Sequence, residues 1–100
     1  MKSADAFLYC INDKDDPAIA KFITKPSHAY YYCKNVLDRE EVRKYITDSY
    51  WAYMYCKWIK DRPEIAKHIT DKEWKLKYLS LKKKKERKIR NENLYIRRSL

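Results

Sequence analysis

Apolar residues fall at i, i+3, i+4 and i+7 twice along the chain, first as Ala29, Tyr32, Cys33 and Val36, then as Ala52, Tyr55, Cys56 and Ile59. That spacing places them on one face of an α-helix. Ala6, Tyr9 and Cys10 begin the same pattern earlier, with Asp13 standing where a fourth apolar residue would fall. After each pattern comes a shorter one whose apolar edge is an i, i+4 pair: Ile19 and Ile23, Val42 and Ile46, Ile65 and Ile69. The whole arrangement recurs at an offset of 23 residues, as AFLYCINDKDDPAIAKFITK (6–25), AYYYCKNVLDREEVRKYITD (29–48) and AYMYCKWIKDRPEIAKHITD (52–71).

Between the two patterns of a unit, Asp38 stands three residues before Glu41, and Asp61 three before Glu64. This spacing is related to the capping box and predicts the start of a second, short helix, with Pro63 tolerated in its first turn. Thr24, Thr47 and Thr70 close the units, and Ser27, Asp48 or Ser49, and Asp71 are the candidate caps of the helices that follow.

Each unit is therefore a helix, a tight turn and a shorter helix. A helix of two or three turns is marginal alone in water, so a unit gains a core only by stacking on its neighbours. The expected fold is all-α: a small right-handed α-solenoid of three helix-turn-helix repeats, with units at about 4–25, 27–48 and 50–71 and a degenerate fourth from residue 72. The repeat domain spans 1–81, and 82–100 is a basic C-terminal helix or tail. In the last frame Tyr78 and Leu79 keep the tyrosine and cysteine positions, but KKKKERKIR (82–90) replaces the aspartate turn, so a longer terminal helix is expected from about Asp71 or Lys72 into the nineties.

Composition supports helices over hairpins. The 100 residues contain no glycine and three prolines, so turns that need positive φ have no favoured residue. The net charge of +10 is uneven: residues 1–71 hold 12 Lys/Arg against 11 Asp/Glu, and residues 72–100 hold 12 against 3. Any attraction to an anionic partner belongs to the last segment.

Candidate chemistry is sparse. Cys10, Cys33 and Cys56 sit at equivalent repeat positions. Neighbouring helices lie about 8–10 Å apart, beyond the roughly 7 Å between Cα atoms that a disulfide spans, and no close Cys pair suggests zinc. They are expected to be buried packing thiols. His28 and His68 occupy different repeat positions, and neither belongs to a nucleophile triad or a metalloprotease motif. A glycine-rich phosphate loop cannot be built. No catalytic residue, metal site or cofactor is expected, and the chain is read as non-enzymatic.

The pattern Ala-x-x-Tyr-Cys, then Asp-Arg-(Glu/Pro)-Glu-(Val/Ile), then Ile-Thr and an aromatic, resembles the short tandem α-hairpin repeats of uncharacterised phage, giant-virus and bacterial proteins. The likeness covers roughly residues 4–79. It implies an architecture and a small phage or mobile-element origin, and no catalytic residues. No apolar run approaches the roughly 18–20 residues that cross a bilayer, and MKSADAFLYC carries neither a basic n-region nor a cleavage signature. A cytoplasmic location without membrane contact is expected, in the host cytosol if the chain is viral.

What remains is surface. Tyr30 and Tyr53 share one position, Tyr31 lies beside the first of them, and Trp58 and His68 occupy positions that differ between copies. Tyr30, Tyr31, Tyr53, Trp58 and His68 are the candidate protein-interface residues. Lys21, Lys44, Lys67 and Arg90 share one position, and Lys34 and Lys57 another, forming basic stripes that are mainly solvated faces. Lys82, Lys83, Lys84, Lys85, Arg87, Lys88, Arg90, Arg97 and Arg98 are the candidates for contact with nucleic acid or an acidic partner. The expected function is docking on a host or phage protein or nucleoprotein complex, as an inhibitor of host defence does. Nucleic-acid binding through the basic segment, or self-assembly as a virion or assembly component, are the alternatives.

Overall fold

The computed structural model describes residues 1–83. Among them all regular structure is helical, and no helix is long and apolar enough to cross a membrane. Three ten-residue helices, α1 (Ser3–Asn12), α3 (Pro26–Asn35) and α5 (Ser49–Trp58), alternate with three single turns, α2 (Pro17–Ala20), α4 (Glu40–Arg43) and α6 (Pro63–Ala66). A further helix, α7, begins at residue 72 and is still helical at 83. Each of α1, α3 and α5 packs on the short helix that follows it, α1 packs on α3, and α3 packs on α5.

The long helices end without glycine. The C-cap residues Asp13, Val36 and Ile59 keep right-handed backbone angles and donate to the carbonyls of Tyr9, Tyr32 and Tyr55. The next residues, Lys14, Leu37 and Lys60, donate to the same three carbonyls at 3.2–3.3 Å. One carbonyl thus takes two amides, and the chain leaves the helix by widening its last turn instead of adopting the left-handed conformation that favours glycine. No described residue has positive φ.

The core follows the repeat. Ala6, Cys10, Ala29, Tyr32, Cys33, Ala52, Tyr55 and Cys56 are buried, as are Val42, Ile65, Ile23, Ile46 and Ile69, while Ile19 is half-buried. Ile23, Ile46 and Ile69 lie past the ends of α2, α4 and α6, and are turned inward by amide bonds to Ala20, Arg43 and Ala66 three residues earlier. Burial and then the negative Asp38 carboxylate push the Cys33 thiol up to about 12, which keeps it protonated among the packed side chains of the core.

Asp38 and Asp61 do not cap the short helices that follow them. The N-caps of α4 and α6 are Arg39 and Arg62, and neither makes a side-chain cap bond. Asp38 and Asp61 stand one residue too early for a capping box, and their carboxylates reach the following unit instead. The Tyr55 hydroxyl donates to Asp38 Oδ2 at 2.7 Å, and Arg62 donates Nε to the Tyr55 hydroxyl at 2.7 Å and Nη2 to Asp38 Oδ2 at 3.1 Å. The same lock joins the first two units: the Tyr32 hydroxyl donates to Asp15 Oδ1, and Arg39 donates Nε to Tyr32 at 2.7 Å and Nη2 to Asp15 Oδ2 at 2.9 Å. Glu41 and Glu64 lie 3.8 and 3.7 Å from Arg39 and Arg62, on the outside.

True caps are few: Asp16 accepts from Ala18 N, Asp48 from Tyr50 N and Trp51 N, and Asp71 from Glu73 N. Ser49 ties two units by accepting from Thr70 N at 3.1 Å and Asp71 N at 3.0 Å, and Ser3 does the same with Thr24 N and Lys25 N. Pro26 stands at the equivalent position of the middle unit and has no hydroxyl to offer, and Ser27 lies inside α3.

Burial raises the pKa values of Asp15 and Asp38, but hydrogen bonds from Tyr32 and Arg39 to the first, and from Tyr55 and Arg62 to the second, together with the positive charges of Arg39, Arg43 and Arg62 beside them, outweigh it and leave both lowered. A carboxyl depressed in the folded chain adds stability above its unfolded value of about 3.9. That contribution disappears as pH falls through the folded value. Urea unfolding between about pH 5 and 2 is therefore expected to show falling stability on an acid limb that becomes shallower in Asp38→Asn; an unchanged slope in that variant would remove the lock from the account.

Candidate interaction surface

Rings from successive long helices meet at a fixed offset. Phe7 stacks on His28 with centroids 5.3 Å apart and planes 16° apart, and Tyr30–Trp51 and Tyr53–Trp74 repeat the contact at 5.3 Å with tilts of 38° and 40°. This seam comes from residues one position after or before the repeated alanine frame, a face that the long helices turn away from the tyrosine lock. Ser3 Oγ lies 3.0 Å from His28 Nδ1, and burial followed by the charge of Lys25 lowers the pKa of that imidazole.

Further rings cover the seam. Tyr31 sets its edge against Tyr30 and Trp51 at 5.0 and 5.6 Å, and Tyr50 against Trp51 and Trp74 at 4.8 and 5.0 Å. Tyr31, Trp51, Tyr50 and Trp74 thereby form an unbroken ridge across α3, α5 and α7, with Tyr53 on Trp74 extending it. Tyr31 and Tyr50 are 41% and 38% exposed, and Trp58 is 57% exposed. Lysines lie over ring faces along the same surface: Lys34 over Tyr30 at 5.9 Å, Lys57 over Tyr53 at 5.9 Å and Trp58 at 4.9 Å, and Lys77 over Trp74 at 4.4 Å. A shallow groove of about 360 Å³ between α5 and α7 is lined by Tyr53, Lys57, Leu76 and Lys77.

The interface candidates divide. Tyr30 is fully buried and belongs to the core, because Tyr31 and Trp51 close over its ring; it is corrected from a surface residue to a packing one. Tyr53 is half-buried in the seam, whereas Tyr31 and Trp58 are open to solvent. His68 is half-buried away from the ridge, beside a groove of about 220 Å³ that includes Glu40, Arg43 and Glu64, and its carbonyl accepts from Ser49 Oγ. Tyr50, absent from the candidates, is a central ridge residue. Its repeat position reads Ser27, Tyr50 and Glu73, so the variation between copies that singled out Trp58 and His68 points to it too.

Lys21, Lys44 and Lys67 are all exposed, at the C-caps of α2, α4 and α6. Of the basic segment, Lys82 and Lys83 lie on α7, exposed, with Lys82 over the Tyr78 ring at 5.4 Å. Lys84, Lys85, Arg87, Lys88, Arg90, Arg97 and Arg98 lie outside the described residues. Comparison with known protein families, with curated proteins and with solved structures finds no match.

Two hydroxyls of similar burial separate packing from locking. The Tyr30 hydroxyl is buried with no hydrogen-bond partner among the described residues, whereas that of Tyr55 is both donor and acceptor. Tyr30→Phe is expected to leave stability unchanged or raise it by up to about 1 kcal/mol, and Tyr55→Phe to lower it by about 1–3 kcal/mol, both read from urea unfolding at neutral pH. Equal losses would contradict the assignment.

Proposed function

We propose that the chain is a non-enzymatic interaction protein, built as a small right-handed α-solenoid of three helix-turn-helix units with a degenerate fourth. In this reading it docks on a larger protein or nucleoprotein complex and modulates it, in the manner of a phage-encoded inhibitor of host defence. One observation carries the reading: the ridge Tyr31–Trp51–Tyr50–Trp74, with Trp58, on the same helix as Tyr50 and Trp51, open to solvent. Tyrosine and tryptophan on a rigid scaffold offer large contact area at low entropic cost, and such rings dominate the energy of protein interfaces. The helices supply the rigidity, since the seam fixes the inner rings on which Tyr31 and Tyr50 rest. The resemblance to phage and giant-virus α-hairpin repeats supports the same source and setting.

Affinity capture from nuclease-treated lysate of the native host tests this, with the chain compared against a Tyr31→Ala, Tyr50→Ala, Trp58→Ala variant of unchanged circular dichroism. A stoichiometric partner retained by the first and lost by the second is expected. Capture that does not depend on the ridge would reject it.

A second reading has its own support in the seven basic residues among 82–90. That segment follows a phosphate backbone by charge alone, so any such binding is weakly sequence-specific and weakens steeply with salt. Mobility shifts of a duplex and a single strand at 50 and about 200 mM salt, with and without residues 82–100, are expected to show retardation only at low salt and only with the segment. No shift at low salt would dismiss this reading.

A further inference from the structure

The tyrosine lock begins three times, and among the described residues the third copy has its tyrosine and aspartate without an arginine. Tyr78 donates to Asp61 Oδ1 at 2.6 Å, as Tyr32 does to Asp15 and Tyr55 to Asp38. In the first two copies an arginine seven residues after the tyrosine bridges both groups, Nε on the hydroxyl and Nη2 on the carboxylate. Among the described residues no arginine reaches Asp61 and Tyr78. Two features of the chain account for this. Helices α3 and α5 end at Asn35 and Trp58, so that the chain turns back and delivers Arg39 and Arg62, whereas α7 is still helical at 83, past the equivalent point. The seventh residue after Tyr78 is Lys85, whose single ammonium nitrogen lacks the two-pronged geometry of a guanidinium.

Asp61 and Tyr78 face a groove of about 780 Å³ between α6 and α7, lined also by Pro63, Ala66 and Ile69 and rimmed by Lys67, Lys75 and Lys82. This lies within the roughly 300–1,000 Å³ of ligand clefts. Lys75 and Lys82 replace Ala52 and Ile59 of the preceding unit, so the groove is not shaped for another apolar repeat. Its rim is cationic around one carboxylate. We infer that this groove is a receptor for an arginine side chain on a partner protein, the arginine being flanked by carboxylates that meet the three lysines. Arg39 and Arg62 set the template, because each carries a glutamate two residues on, Glu41 at 3.8 Å and Glu64 at 3.7 Å.

The inference rests on the protein-docking reading and names a second contact on the partner, separate from the ridge. Its test uses the full-length ¹⁵N-labelled chain and the acetylated, amidated peptide Arg-Pro-Glu-Ile-Ala, the sequence of residues 62–66. Shifts centred on Asp61, Lys75 and Tyr78 are expected, with affinity at least about tenfold weaker when citrulline replaces the arginine, since a charge-assisted pair becomes a neutral one. Tyr78→Phe and Asp61→Asn, each checked for unchanged spectra elsewhere, are expected to weaken binding similarly. Equal binding of the citrulline peptide, or shifts elsewhere, overturns the inference. A second arm replaces Arg87, Arg90, Arg97 and Arg98 by Gln in the full chain: unchanged affinity supports a partner's arginine, and a tenfold gain assigns the site to the chain's own segment and overturns it. The ridge variant leaves this groove intact, so ridge-dependent capture without peptide binding rejects the receptor alone.

Discussion

A tyrosine hydroxyl sits between an aspartate of the preceding unit and an arginine of its own unit, and the arrangement of the helices depends on that contact. Tyr55 is fully buried, so its hydroxyl needs partners that α5 itself cannot supply. Asp38 and Arg62 satisfy it and each other, and the bonds fix both the distance between α3 and α5 and the place where α6 begins. The side chains of Asp38 and Arg62 are about one-fifth exposed, which lowers the desolvation cost of the charges while retaining directional bonds. Burial, and then donation to Asp38, raises the Tyr55 pKa, keeping the hydroxyl a donor.

The aromatic seam works on the other side of the long helices and is less demanding of identity. Phe7 on His28, Tyr30 on Trp51 and Tyr53 on Trp74 use different ring pairs at the same 5.3 Å. Packing of this kind needs volume and a ring face, whereas the lock needs a donor, an acceptor and a fork. This difference explains why the lock residues read alike from unit to unit and the seam residues do not. The first unit uses the lock positions differently: Tyr9 is 38% exposed, Asp13 replaces Val36 and Ile59, and Asp16, in the arginine position, caps α2 instead.

Much of the helical organisation was legible because it is local. The 3.6-residue period marked α1, α3 and α5, and the 23-residue offset placed each short helix after its long one. Cys10, Cys33 and Cys56 as core thiols followed from the same period. The aspartates were misread for a physical reason: an Asp three residues before a Glu matches a cap in sequence, and only the position of Arg39 and Arg62 as N-caps shows that the carboxylates face the neighbouring unit. Tyr30 and Tyr31 are adjacent and chemically identical, yet one is fully buried and the other 41% exposed, because Trp51 of the next unit covers the first. Tyr50 joins the ridge through Trp51 and Trp74, the second of which lies 24 residues away.

The sequence by itself determined the all-helical class, the repeat period, most of the positions that form the core, the glycine-free turns and the concentration of positive charge from residue 72 onward. These depend on periodicity, composition and backbone sterics, which act over one or two helical turns. Only the tertiary structure decided the partners of the acids, which rings are covered, and the groove beside Asp61 and Tyr78. Those are settled between residues 17 to 24 positions apart, where the angle at which one unit meets the next selects the contact. Spacing along the chain does not record that angle.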